Sequence, residues 1–228
     1  MKISKETIRA SFNNRRYQEA QLSAIAMFRI KSILEFVGNK KKVLDIACAD
    51  GTISQLVAQN NNDVYGIDIS EAAIKMAKEK GIKAYKLDVE CEGLPFSDNY
   101  FDIVIAAEII EHIFDTDKFL NKIKKILRPQ GHLIITTPNL ATLGRRLLLL
   151  LGKNPLVETS IAADAAGHIR YFIKETLINL LEKHSFNINI FGSDIVNFHS
   201  CGRFYSVALA KMFPTIGRTL IIKAENIK

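Results

Sequence analysis

At 228 residues, the chain amounts to about one and a half domains of roughly 150 residues each, long enough to bury a substantial core. Apolar residues at 48% and charged ones at 24%, with 12 glycines and 5 prolines, exclude a disordered or collagen-like chain. The formal charge of +7 is spread over many segments and suits anionic partners without naming one.

The first segment, MKISKETIRASFNNRRY, is charged throughout and lacks the apolar stretch of a signal peptide. Leu22, Ala26, Ile30, Ile33 and Val37 then recur at helical spacing, so residues 1–40 read as one or two amphipathic helices ending at Gly38-Asn39. From Lys42 the texture changes to short β-branched runs separated by helical stretches: KVLDIA, TISQLVAQ, DVYGIDI, EAAIKMAKEK, IKAYKLDV, FDIVIAA, DTDKFLNKIKKIL and HLIITTP. This βαβ alternation over residues 42–139 predicts a mostly parallel sheet covered on both faces. Residues 140–167 interrupt it with a stretch too long for an ordinary connection and too apolar for a bare loop, which predicts an inserted, partly helical cap. Over 168–228 the pattern resumes with a helix from Lys174 to His184, a strand from Phe186 to Phe191, and strand-like runs at Phe204–Ala210 and Thr219–Ala224, giving the sheet an antiparallel end. One domain, 1–228, holds all of these parts.

Cys48, Cys91 and Cys201 stand too far apart for a CxxC motif, and a reducing compartment suits them. The densest apolar run, Leu147–Leu151, is far short of the roughly 20 residues that cross a bilayer. The expected location is cytoplasmic, with any membrane contact peripheral.

The first strand runs into Ala47-Cys48-Ala49-Asp50-Gly51, where small side chains let a ligand approach the backbone and a helix start presents unpaired N–H groups. The GxGxxG spacing of a dinucleotide fingerprint is absent, which argues against a nicotinamide oxidoreductase. Asp45, Asp68 and Asp88 fall at the ends of three successive strands, where open α/β sheets gather their ligands. Each taken alone is as readily a helix cap or a loop hydrogen bonder.

These segments carry a resemblance. VLDIACADG, VYGIDIS, KLDVE, the LPF of Leu94–Phe96, FDIVIAAEIIEH and LRPQGHLIITTPN resemble the ordered motifs of class I S-adenosylmethionine-dependent methyltransferases, with a looser continuation through HIRYF and LLEKHSF. The resemblance implies a Rossmann-like, doubly wound, mostly parallel seven-stranded sheet with an antiparallel end strand, flanked by the N-terminal helices and the helical cap. It implies S-adenosylmethionine as cofactor. Asp45 and the loop of Ala47, Cys48, Ala49 and Gly51 would face its methionine end, Asp68 would hold the ribose and Asp88 the adenine amino group, with Ile69, Val89 and Ala107 in the same site. The family usually has glycine where Ala47 and Ala49 stand, and alanine costs about 1–2 kcal/mol wherever the loop needs left-handed backbone. That departure motivates a different class of function, a non-catalytic module that binds the cofactor.

Glu108, Glu111 and His112 sit at i, i+3 and i+4, so a helical turn would bring all three to one side, with His168 returning toward them. Two carboxylates and two imidazoles can hold a divalent metal. The pattern resembles the metal-binding set of small-RNA 2′-O-methyltransferases, and EIIEH is similar to the ubiquinone-pathway type of O-methyltransferase. Without a metal, His112 is the preferred base, since an unperturbed imidazole titrates near pH 6.5. Alternatively, these groups only pair with neighbouring backbone, and His168 packs on Tyr171 and Phe172. His132, His184 and His199 read as structural.

In the cap, Arg145-Arg146 precede five leucines and Lys153 follows them. A helix there is apolar on every side. It is either a lid packed on the sheet or the approach to a lipid-like acceptor, with residues 140–153 touching a membrane. The expected activity is methyl transfer to a small-molecule or lipid-like acceptor, at a hydroxyl oxygen. An RNA 2′-O-methyltransferase is the alternative; the positive charge favours it, but no basic and aromatic platform for single strands is visible.

Overall fold

A computed structural model describes residues 26–158, 167–198 and 204–227. The predicted first helix falls partly outside that range, with Leu22. Its described part, α1 (Ala26–Val37), buries Ile30, Ile33 and Val37, the inward positions of the helical period. Five parallel strands follow: β1 (Lys42–Ile46), β2 (Asp63–Asp68), β3 (Lys83–Lys86), β4 (Phe101–Ala107) and β5 (Leu127–Pro138). The helices between them are α2 (Thr52–Ala58), α3 (Glu71–Glu79) and α4 (Thr116–Ile126). After α5 (Leu143–Leu150) and α6 (Lys174–Lys183) come β6 (Phe186–Ser193), α7 (Val207–Met212) and β7 (Thr219–Asn226).

The sheet is seven-stranded in the order β3-β2-β1-β4-β5-β7-β6. The antiparallel strand expected at its end is β7, slotted between β5 and β6 and antiparallel to both. β1 and β4 are buried almost throughout, as strands covered on both faces must be. On one face, Ile33 and Val37 of α1 and Val57 of α2 pack against Val43, Ile103 and Ile134. On the other, Phe119, Leu120 and Ile123 of α4 and Leu177 and Leu181 of α6 close over Phe101, Val104 and Leu133. Each fully buried side chain of this size contributes about 1.5–3 kcal/mol. Local signals set the helix ends: Ser70 accepts the Ala73 N–H at the start of α3, and Asp115 accepts the Lys118 N–H at the start of α4.

Three expectations need correction. The run Phe204–Ala210 is not a strand: only Tyr205 and Ser206 pair with Val196–Asn197, and the chain then turns into α7, started by Ser206 accepting the Leu209 N–H. β3 stops at Lys86, so Asp88 lies beyond the strand's end. The leucine-rich helix is not a lid packed on the sheet, because α5 buries none of its residues.

The chain crosses from one side of β1 to the other after β3, so β1 and β4 mark the switch point where connecting loops diverge and open a crevice.

Candidate active site

Beyond Ile46 the chain turns through Ala47–Gly51 into α2. Ala47 (φ 59°), Ala49 (φ 52°) and Gly51 (φ 76°) all hold left-handed backbone. Gly51 has no room for a side chain, since a Cβ there would lie 2.8 Å from the Cβ of Ala77. Ala47 and Ala49 carry the same conformation without glycine's freedom, at about 1–2 kcal/mol each. Strain of this kind is held by surrounding structure at ligand-binding loops. Cys48 is buried against Gly66, where an added Cβ would sit 2.7 Å from its Sγ. Burial, reinforced by the charges of Asp45 and Asp68, pushes its thiol pKa far up, so it acts as packing and not as a nucleophile.

Asp45 lies just before this loop, Asp68 is bonded to it, and Asp88 lies just past the end of β3. Asp45 is buried in β1 and accepts from Ser54 Oγ at 2.6 Å. Burial pushes its pKa up to about 7; the Ser54 bond opposes that shift and the Asp68 charge adds to it. Asp68 accepts the Ala49 N–H at 3.0 Å with Oδ2 and the Ser70 N–H at 2.8 Å with Oδ1. Asp88 accepts the Glu90 N–H with Oδ1, while its Oδ2 is buried without a hydrogen-bond partner. A buried carboxylate oxygen left unpaired is costly, and an amine donor entering from the crevice would satisfy it. That donor chemistry matches an adenine amino group. Ile69 follows Asp68 and is half-buried, Val89 packs in the core beside Leu87, and Ala107 ends β4 opposite Thr136.

The second cluster lies beyond β4. Glu108 is itself left-handed (φ 53°), and the helical turn after it is a short 3₁₀ turn, Ile110–His112. Glu108 stays close enough for its charge to act on Glu111, but its carboxylate is taken by other partners. Glu108 swings to Arg29 Nη1 at 3.0 Å and accepts from Thr136 Oγ1 at 2.9 Å. Glu111, His112 and His168 remain together, one ligand atom from each lying within 4.8 Å of the others. Glu111 Oε2 accepts from Thr137 Oγ1 at 2.9 Å, and its Oε1 is buried without a hydrogen-bond partner, 3.9 Å from His168 Nε2. Burial, with the Glu108 charge, raises its pKa to about 8.

His112 Nδ1 lies 3.0 Å from the Gly167 carbonyl. A carbonyl only accepts, so Nδ1 carries the proton and the neutral ring keeps its lone pair on Nε2. His168 also stands edge-on to Tyr171, centroids 6.2 Å apart, one of the two aromatic neighbours expected of it.

The methyltransferase domain family matches residues 38–195, which is more than half of the chain. The chain belongs to the class I S-adenosylmethionine-dependent methyltransferases. A ubiquinone biosynthesis O-methyltransferase of Rhizobium johnstonii is 34% identical over 119 residues, covering 50% of this chain and 48% of that protein. This methyltransferase thus spans about half the length of the curated relatives it matches. A solved structure described as a putative S-adenosylmethionine dependent methyltransferase from Listeria monocytogenes superposes with TM-score 0.65 at 20% identity, covering 90% of this chain and 98% of that one. The (4+2)-cyclase SpnF superposes with TM-score 0.61 at 19% identity, covering 88% of this chain and 81% of its own. One fold carries different reactions, so the chemistry must be argued from side chains.

Several residues of the methyltransferase crevice were not singled out from sequence. Arg29 comes from α1, and its Nε is buried without a hydrogen-bond partner. Thr136 and Thr137, buried at the tip of β5, position the two glutamates. Asn139 donates to the carbonyls of Thr215 and Gly217 and accepts the Ala141 N–H, fixing the entry to the cap. The polar TTPN that follows the apolar run Leu133–Ile135 is the local signal for the last three; Arg29 has none.

Proposed function

We propose that this protein binds S-adenosylmethionine over the ends of β1, β2 and β3 and methylates a hydroxyl oxygen of a small, lipid-like acceptor. When bound, the cofactor supplies a methyl group already activated on a sulfonium. Asp68 would hold the ribose hydroxyls and Asp88 Oδ2 the adenine amino group, with the left-handed loop Ala47–Gly51 open to the methionine end. Arg29 offers that end a guanidinium for its carboxylate. The protein's part is alignment and water exclusion, worth several kcal/mol when nucleophile and methyl carbon are held in line.

The observation that carries the hydroxyl assignment is the 3.0 Å contact between His112 Nδ1 and the Gly167 carbonyl. With Nδ1–H held by Gly167, Nε2 is the atom able to take the acceptor's proton as the oxygen lone pair forms the new carbon–oxygen bond. The name of the Rhizobium relative, an O-methyltransferase, supports the same reading. A second reading follows from the unpaired Glu111 Oε1. Glu111, His112 and His168 fit a divalent cation, which would lower the pKa of an acceptor hydroxyl.

Calorimetry with S-adenosylmethionine, followed by methyl transfer to an alkylated phenol and to single-stranded RNA, tests the proposal. Heat of binding and turnover on the phenol are expected. Absence of heat overturns the cofactor assignment, binding without turnover leaves a non-catalytic module, and turnover confined to RNA leaves the 2′-O-methyltransferase.

A further inference from the structure

We propose that an exposed apolar face, formed by α5 and the segment around α7, docks this protein onto an anionic lipid bilayer. α5 buries none of its residues, and Leu147, Leu149, Leu150 and Leu151 are 52%, 57%, 82% and 68% exposed. The helix touches the Val196–Asn197 strand, which in turn touches α7. α7 ends at Met212, followed by Phe213, and these are 69% and 51% exposed. Arg146 donates to the Thr215 carbonyl, joining α5 to the turn that follows α7. Single exposed leucines are ordinary, but four within the five positions 147–151, on elements linked to two further exposed apolar side chains, mark a docking site.

Charge selects the occupant. Arg146, Lys153 and Lys211 are exposed around the patch. Among the described residues of 140–158 and 204–217 the one acidic side chain is Glu158, whose carboxylate accepts the N–H groups of Gly167 and His168. An apolar face rimmed by cations matches the boundary between acyl chains and anionic head groups. A second copy of this chain would bring like charges together.

The patch also lies at the carboxyl end of the sheet. α5 starts just past Pro138, the tip of the strand that positions Glu111. Docking through it would turn that end of the protein toward the lipid, where an acceptor dissolved in the bilayer could enter. The proposal concerns attachment and does not depend on which acceptor is methylated.

The test is flotation of the full chain with vesicles of phosphatidylcholine alone and with vesicles of equal parts phosphatidylcholine and phosphatidylglycerol. Binding to the anionic vesicles is expected. Leu149→Ser with Leu150→Ser should weaken it at least about ten-fold, and Lys153→Glu with Lys211→Glu should remove the preference for anionic lipid. Calorimetric affinity for S-adenosylmethionine should be unchanged in both variants, which separates this proposal from the cofactor assignment. Absence of vesicle binding, or binding indifferent to the leucine substitutions, would overturn it. So would self-association that the leucine substitutions abolish without any vesicle binding, since the patch would then join two copies.

Discussion

Asp68, at the tip of β2, accepts the Ala49 N–H at 3.0 Å, so the carboxylate proposed to hold the ribose also fixes the loop that faces the methionine end. Its other oxygen takes the Ser70 N–H at 2.8 Å and helps start α3. Two parts of the crevice are therefore set by one side chain, and a ligand finds the loop already formed.

Asp68→Ala should abolish measurable S-adenosylmethionine binding in calorimetry. Two backbone donors would also lose a charged acceptor, lowering unfolding stability by about 1–3 kcal/mol in urea melts. Undiminished affinity would remove Asp68 from the cofactor site.

Ala47→Gly and Ala49→Gly should each stabilise the protein, by up to about 1 kcal/mol, because the left-handed strain relieved exceeds the added freedom of the unfolded chain. A rise in Tm for each variant, with cofactor affinity kept or tightened, is the expected result. A fall would show that the alanine methyl groups make contacts outweighing the strain.

The pH dependence of stability follows from Glu111, raised from 4.5 to about 8, and Asp45, raised from 3.8 to about 7. Across this window the folded protein keeps protons that the unfolded chain has already released. The stability that these two groups contribute is therefore fullest below about pH 4 and is lost as pH rises toward 8, by an amount on the order of a few kcal/mol. Glu111→Gln should flatten the profile measured by urea melts at pH 5.5 and 8. A parallel profile in the variant would mean that Glu111 ionises at an ordinary pH.

His112→Asn should lower kcat by roughly 10²–10⁴ while leaving S-adenosylmethionine affinity intact, the signature of a lost proton acceptor. Manganese titrated calorimetrically into the unaltered protein and into Glu111→Gln separates the two readings of the cluster. Binding that the substitution abolishes, with turnover lost to chelator, places a metal at Glu111, His112 and His168. Turnover indifferent to chelator leaves His112 acting alone.

His184 shows how a histidine set aside from sequence earns a structural place. Its two ring nitrogens lie 3.0 Å from Asn121 Oδ1 and 2.7 Å from Asp117 Oδ1, joining the end of α6 to α4.

The sequence by itself determined the layered sheet and the collection of Asp45, Asp68 and Asp88 near one edge, because β-branched runs and helix caps are local signals and parallel strands must all end on the same side. It also marked Glu111, His112 and His168 as candidates, through spacing and chemical type. Only the tertiary structure decided that Glu108 pairs with Arg29 beside that group, that Phe204–Ala210 becomes mostly helix, and that Leu147, Leu149 and Leu150 of α5 lie exposed. Each of these depends on which distant residue competes for a side chain, or on whether another surface covers it, and such competition is settled by packing between segments far apart in the chain.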